Sequence, residues 1–168
     1  MKKILITFFS IICLCDVSAQ SLDDLESNPS FKGIDIGMPI TAILGKVKYV
    51  KQVDAQTIYT IDDPSYNSVF GIGVDYVNVA VQGGRIYAII AVKEVLNSSV
   101  VFNTSELDAI EAGLTRHYGK PTNFVGDGKH FGVQWISRTK RVDNIMTFFG
   151  TGVGYRILFA ISENKEDY

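Results

Sequence analysis

The chain has 168 residues, of which 46% are hydrophobic, so it is long enough to build one core or two small cores. Its formal net charge is −2 and its basic residues are scattered, which excludes binding to nucleic acid or to an anionic membrane by bulk charge. Both cysteines, Cys13 and Cys15, lie in an N-terminal segment that we expect to be removed. Thiol catalysis, disulfides and cysteine metal sites are therefore excluded in the mature protein.

The N-terminal segment has the pattern of a secretory signal peptide. Lys2 and Lys3 precede an apolar run over residues 4–14, and small residues follow at Val17-Ser18-Ala19. Because that run is too short to span a bilayer, the pattern predicts cleavage between Ala19 and Gln20 rather than a membrane anchor. No later segment reads as a transmembrane helix, so we expect a periplasmic or secreted protein.

A lipoprotein leader is the alternative, with Cys13 or Cys15 as the acylated residue. Bulky residues precede each cysteine where small ones are expected, so lipid anchoring is less favoured. Removal of residues 1–19 takes away Lys2, Lys3 and Asp16, and the 16 basic and 18 acidic side chains fall to 14 and 17. The mature chain is then weakly acidic.

The first half of the mature chain begins with a polar N-terminal arm or short helical turn at residues 20–30. A strand is predicted over 31–36, and a helix after Gly37-Met38, because Ile40, Ile43, Leu44 and Val47 recur at helical spacing. The remaining β-rich runs predict three strands, over residues 57–61, 69–82 and 85–95.

Gly83-Gly84 predicts a tight hairpin, since two glycines suit the positive φ angles of a type I′ turn. A two-residue loop sets the register, so we expect Gln82 to face Arg85 and each following pair to step by one residue. Under that register one face is apolar, comprising Val77, Val79, Val81, Ile86, Ala88 and Ile90. The opposite face is mixed, comprising Tyr76, Asn78, Ala80, Gln82, Arg85, Tyr87 and Ile89.

The second half begins with a helix that Thr104 or Ser105 can cap and that runs to about Tyr118. Ser105 with Asp108 is similar to a capping box, and Gly119 followed by Pro121 is a typical helix end. Three strands are predicted after it, over 131–137, 142–149 and 155–161, and we expect residues 163–168 to fray.

The two halves share one order of elements, and Gly45-Lys46 recurs as Gly119-Lys120 at an offset of 74 residues. This pattern indicates an internal duplication. We therefore predict an α+β fold of two similar helix-plus-antiparallel-sheet units packed side by side, spanning residues 31–101 and 102–162.

Two stretches carry a resemblance to a known superfamily. Residues 34–45, Ile-Asp-Ile-Gly-Met-Pro-Ile-Thr-Ala-Ile-Leu-Gly, and residues 114–121, ending Tyr-Gly-Lys-Pro, resemble the helical opening of the SmpA and β-lactamase inhibitory protein-like superfamily of small envelope or secreted modules. The resemblance implies tandem helix-plus-sheet units and a non-enzymatic role in which a sheet face and adjoining loops hold another protein. The chain departs from the inhibitory protein by having no disulfides.

The mixed hairpin face is the candidate binding site, with Tyr76, Asn78, Arg85 and Tyr87 projecting from a rigid sheet. Tyrosine and arginine are enriched at binding hot spots, which favours an inhibitor, an immunity protein or an envelope-assembly factor whose partner is another envelope or extracellular protein. The alternative interpretation is that the second unit or the N-terminal arm covers this face.

Two further hypotheses stay open. His117, Asp127 and His130 in one cleft would favour a small hydrolase or a metal-dependent enzyme, although their spacing matches no metal motif. A small apolar ligand could bind between the two sheets. No catalytic residue, metal ligand or cofactor is assigned, because the sequence contains no nucleophile elbow and no evident catalytic triad.

Overall fold

The computed structural model describes residues 22–27, 29–96, 104–150 and 153–164. The predicted leader at residues 1–19, the predicted unit boundary at 101/102 and most of the predicted tail lie outside these ranges. Among the described residues, no helix combines the length and apolar character needed to cross a membrane.

The first half of the described chain contains one short α-helix and eight strands. Helix α1 spans Leu22–Ser27, and 3-10 helices span Ile40–Lys46 and Pro64–Tyr66. The strands are β1 (Ser30–Phe31), β2 (Ile34–Asp35), β3 (Val47–Val53), β4 (Gln56–Ile61), β5 (Ser68–Val69), β6 (Ile72–Gly73), β7 (Tyr76–Gln82) and β8 (Arg85–Leu96).

The second half contains the longer helix and four strands. Helix α2 spans Ser105–Tyr118, and Gly119 ends it with a φ of 75°, which confirms the predicted helix. Thr104 is the cap residue, but it makes no side-chain cap hydrogen bond, and its hydroxyl donates to the Asp108 carboxylate at 2.9 Å. Ser105 is already the first helical residue, so it does not occupy the cap position that the predicted capping box with Asp108 requires. The strands are β9 (Asn123–Gly126), β10 (His130–Ile136), β11 (Lys140–Gly150) and β12 (Gly154–Glu163).

Eight of these strands form one antiparallel sheet in the order β3-β4-β7-β8-β12-β11-β10-β9. Short hairpins β1-β2 and β5-β6 form two separate two-stranded sheets. Neighbouring strands in this sheet are consecutive along the chain except at two places: β4 pairs with β7, which the β5-β6 hairpin separates in sequence, and β8 pairs with β12 in the middle of the sheet.

The predicted fold class is wrong. The protein is mostly β, with one eight-stranded sheet, and is not a pair of helix-plus-sheet units packed side by side. Residues Ala88 to Leu96 of β8 pair continuously with Gly154 to Ser162 of β12. That pairing satisfies backbone groups that two separate sheets would leave at their edges, so both halves share one sheet and one core.

The first predicted helix is a 3-10 helix, and the prediction that its four apolar residues share one buried face is partly wrong. Ile40 and Ile43 are buried, but Leu44 is 52% exposed and Val47 already begins β3. A 3-10 helix has three residues per turn, so residues three apart share a face and Leu44 turns toward solvent. Gly45 further weakens α-helical continuation at this point.

The Gly83-Gly84 turn is confirmed, with φ angles of 58° and 76°. Its first two pairs, Gln82 with Arg85 and Val81 with Ile86, are also as expected, but the predicted register fails beyond them. Ala80 faces Ala88, because Tyr87 is the extra residue of a β-bulge that the sequence did not indicate. Ile89 and Ala91 thereby replace Ala88 and Ile90 on the core face.

Neither edge strand, β3 or β9, was predicted. β3 is exposed over six of its seven residues, and β9 over three of four, so neither carries the alternation that marks a half-buried strand. The predicted strand over residues 69–82 is three strands, since Phe70-Gly71 forms a tight turn and residues 74 and 75 separate β6 from β7.

The core lies on one side of the large sheet, beneath both α-helices and the N-terminal hairpin. Asn144 Nδ2 donates to Leu107 O at 2.9 Å and Trp135 Nε1 donates to Gly119 O at 2.8 Å, which fixes α2 to β10 and β11. Leu25 of α1 is fully buried in the same core. The opposite side of the sheet is where the candidate site lies.

Candidate functional site

The second face of the sheet, here called the open face, lies outside the hydrophobic core. Strand alternation places Ile58, Ile90, Ile145 and Leu158 on this face, and all four are half-buried. None of them belongs to the core cluster or to the side chains that pack against it. Among the described residues the helices pack on the core side, so a broad, partly apolar sheet surface is presented to solvent.

A continuous row of cross-strand neighbours, here called the apolar stripe, crosses six strands of the open face. Register pairs connect one residue from each strand, from β7 to β9. In order, the residues are Tyr76, Val92, Leu158, Ile145, Gly132 and Val125. Because all six lie in paired strands, the stripe is held rigidly and costs little ordering on contact with a partner.

The row on one side of the stripe carries opposite charges. Arg156 faces Glu94 across the β12-β8 pair, and its Nη2 lies 2.5 Å from Glu94 Oε1. Tyr76 OH donates to the same carboxylate oxygen at 3.4 Å. The Arg156 guanidinium also lies 5.4 Å from the centre of the Phe149 ring, so Glu94 and Phe149 together hold it in one orientation.

The row on the other side of the stripe is a hydrogen-bonded ladder of polar side chains. Asp143 Oδ1 accepts from Arg141 Nε at 2.8 Å and from Gln134 Nε2 at 2.7 Å. Gln134 Oε1 accepts from Asn123 Nδ2 at 2.6 Å. The ladder spans β11, β10 and β9, and each side chain orients the next, so its outer groups are presented in fixed positions.

Burial changes the acidity of the two tyrosines on this face. The pKa of Tyr76 is raised above its ordinary value of 10, first by burial and then by the neighbouring Glu94 carboxylate. The pKa of Tyr87 is also raised by burial, against a hydrogen bond with Gln56 that lowers it. Both phenols are neutral hydrogen-bonding groups at physiological pH.

Three of the four site residues proposed from the sequence share the open face. Tyr76 begins the apolar stripe, Asn78 pairs with Ile90 in the next row, and Tyr87 bonds Gln56. Arg85 lies apart from them at the hairpin tip. Its Nη1 donates to Gly37 O at 2.8 Å, which ties the guanidinium to the chain just before Pro39.

The structure does not bring the two histidines together. His130 lies at the start of β10, opposite Thr147, and its Nδ1 is 2.8 Å from Asp127 Oδ2. The pKa of Asp127 is lowered to about 2, chiefly by backbone hydrogen bonds from His130 and Lys129, as in an exposed turn. His117 is on α2, on the core side of the sheet.

No group of three histidine, cysteine, aspartate or glutamate side chains is placed to hold a metal ion within the described ranges. His130 and Asp127 form one surface pair at the start of β10, and His117 lies apart from them on α2.

Sequence reasoning missed the half of the open face that β12, β11 and β10 supply. Leu158 and Ile145 alternate with core residues along their strands, a signal that the sequence does contain. Leu158 and Ile145 lie on the same face as Tyr76 only because β8 pairs with β12. That pairing joins residues 58 to 74 positions apart and has no local signal in the sequence.

No protein-family model matches the chain, and no curated protein or solved structure shows a significant match to it. The similarity to the SmpA and β-lactamase inhibitory protein-like superfamily therefore stays a prediction.

Proposed function

We propose that this chain is an exported, non-catalytic module that binds another envelope or extracellular protein through the open face. The observation that carries this proposal is the apolar stripe between two rows of oriented polar groups. An apolar centre with a hydrogen-bonding surround is the usual anatomy of a protein-protein interface.

The arrangement of side chains supports a protein partner over a small polar one. Tyr76 and Arg156 belong to the residue types that dominate binding hot spots, and both are already ordered by Glu94. A partner of matching chemistry presents apolar residues flanked by hydrogen-bonding groups.

The test is affinity capture of residues 20–168 from an envelope extract, followed by reconstitution of any captured protein in a one-to-one complex. Leu158→Asp places a charge in the apolar stripe and is expected to weaken binding at least a hundredfold, since a buried unpaired charge costs several kcal/mol. Leu44→Asp is the matched control, because Leu44 is an exposed leucine on the 3-10 helix, away from the stripe.

Tyr76→Ala is expected to weaken the same complex about tenfold or more. If the Leu158→Asp and Leu44→Asp variants bound the partner with equal affinity, the assignment of the apolar stripe as the binding surface would be contradicted. Hydrolysis of a substrate panel by the purified chain would contradict the non-catalytic assignment.

A further inference from the structure

A cavity of about 450 Å³ lies on the core side of the sheet, against α2 and the β5-β6 and β1-β2 hairpins. Its volume falls within the range of about 300–1,000 Å³ that is usual for small-molecule sites. Because the cavity and the open face lie on opposite sides of the sheet, ligand binding here is independent of the protein-binding surface proposed above.

The floor of the cavity is apolar. It is formed by core side chains that are at most 6% exposed, namely Phe31, Val69, Leu114, Phe159 and Ile161. A ligand that enters must cover aromatic and branched aliphatic surface. Apolar groups are therefore favoured in its deep end, at roughly 25 cal/mol for each Å² removed from water.

The rim carries an ammonium group that the fold holds in place. Lys32 Nζ donates to Ser65 O at 2.6 Å and to Ser68 Oγ at 2.9 Å. An ammonium group has three donors, so these two bonds leave capacity for a third acceptor. Lys32 itself has a φ of 50°, an uncommon conformation for a lysine, in the turn between β1 and β2.

Phe70 and His117 form an aromatic part of the cavity lining. Phe70 also has a positive φ, 47°, and its ring lies 5.6 Å from the His117 ring and packs over Gly113 of α2. Lys32-Gly33 and Phe70-Gly71 are both two-residue hairpin turns with positive φ at each position, and both turns lie beside this cavity. The Asp24 carboxylate lies elsewhere on the rim, near Tyr118.

We propose that this cavity binds a small amphipathic molecule, with an aromatic or branched aliphatic body on the apolar floor and an anionic head group at Lys32. The apolar floor favours an apolar body, and the Lys32 ammonium, which two hydrogen bonds hold in place, favours an anionic head group. Carboxylates and sulfonates of modest size have this chemistry.

Two fluorescent probes with the same aromatic skeleton test the proposal: anilinonaphthalene sulfonate, which carries an anion, and phenylnaphthylamine, which does not. Residues 20–168 are expected to bind both, and the sulfonate about tenfold more tightly, which corresponds to about 1.4 kcal/mol. Lys32→Gln is expected to remove that preference and leave phenylnaphthylamine binding unchanged. If the unmodified protein bound the two probes with equal affinity, the proposed preference for an anionic head group would be overturned.

Two comparisons locate the probe. Ser30→Leu fills the rim of the cavity and is expected to weaken both probes, whereas Leu158→Ser on the open face is expected to weaken neither. Backbone amide NMR spectra of the unmodified protein provide a test that requires no variant to fold. Shifts at Phe70 and Gly113 support the cavity, and shifts confined to Ile145 and Leu158 would overturn it.

Discussion

The carboxylate of Glu26, on α1, accepts hydrogen bonds from both the backbone N–H and the hydroxyl of Thr139, at 3.1 and 2.6 Å. Thr139 lies in the turn between β10 and β11, 113 residues further along the chain. Leu25 beside it is fully buried. This bond therefore connects the first helix to the sheet at its outer end.

Glu26→Gln is expected to destabilise the protein at neutral pH but not in strong acid. Hydrogen bonds from Ser137 and Thr139 lower the pKa of Glu26 from 4.5 to about 2. A lowered folded-state pKa contributes stability that is fully present above pH 4.5 and is lost as the pH falls to about 2. Urea unfolding at pH 7 and pH 2 measures the difference, with Asp35→Asn as the surface control. An equal effect at both pH values would contradict the proposed linkage.

Gly113→Ala tests the packing of Phe70 on α2. A Cβ at Gly113 would overlap the Phe70 ring, so either the ring or the hairpin that carries it must shift. We expect a loss of about 1–3 kcal/mol in the free energy of unfolding, despite the better helix propensity of alanine. In a Phe70→Ala background the same change is expected to be neutral or stabilising, and a double-mutant cycle measures the coupling. Additive effects would show that the ring does not pack there.

Adjacent residues of β12 test which face of the sheet is the core. Ile157 is 2% exposed and belongs to the core, whereas Leu158 is half-buried on the open face. Ile157→Ala is expected to cost about 2–5 kcal/mol and Leu158→Ala about 1 kcal/mol. Urea unfolding of the two variants gives both values under one protocol. A larger loss of stability for Leu158→Ala than for Ile157→Ala would place the core on the opposite face of the sheet.

The sequence predicted local features better than their assembly. Gly83-Gly84 demands positive φ, and the apolar spacing of Leu107, Ile110 and Leu114 demands a helix, so both elements follow from neighbouring residues. The Tyr87 bulge has no such signal, since a bulge is decided by the packing of both strands.

Tyr76 and Asn78 share a face because residues two apart in a strand do so. Tyr87 joins them from β8, at the bulge where the predicted register fails. The site's other half could not be predicted, because Arg156 meets Glu94 only through the β8-β12 pairing. That pairing joins two strands that each also pair with a sequential neighbour. The apparent repeat in the sequence favoured two separate sheets. A single sheet instead pairs the backbone groups of β8 with those of β12, which would otherwise lie unpaired at two additional sheet edges.

Asn144→Asp tests the contact of the sheet with α2. Asn144 is fully buried, and its Nδ2 donates to Leu107 O at 2.9 Å, while its Oδ1 has no hydrogen-bond partner among the described residues. An aspartate here would place a carboxylate against a carbonyl oxygen, so burial and repulsion are expected to raise its pKa well above the ordinary value of about 3.9.

The raised pKa makes the cost of this substitution depend on pH. Above the folded-state pKa the variant pays the full cost, on the order of 4 kcal/mol for a shift of three pKa units. Below about pH 3.9 both the folded and unfolded forms are protonated and the electrostatic cost disappears. Urea unfolding between pH 3.5 and 7 follows this change. Asn144→Leu, which introduces no charge, is expected to show a difference from the unmodified protein that does not vary with pH, and a parallel pH dependence in both variants would contradict a buried carboxylate.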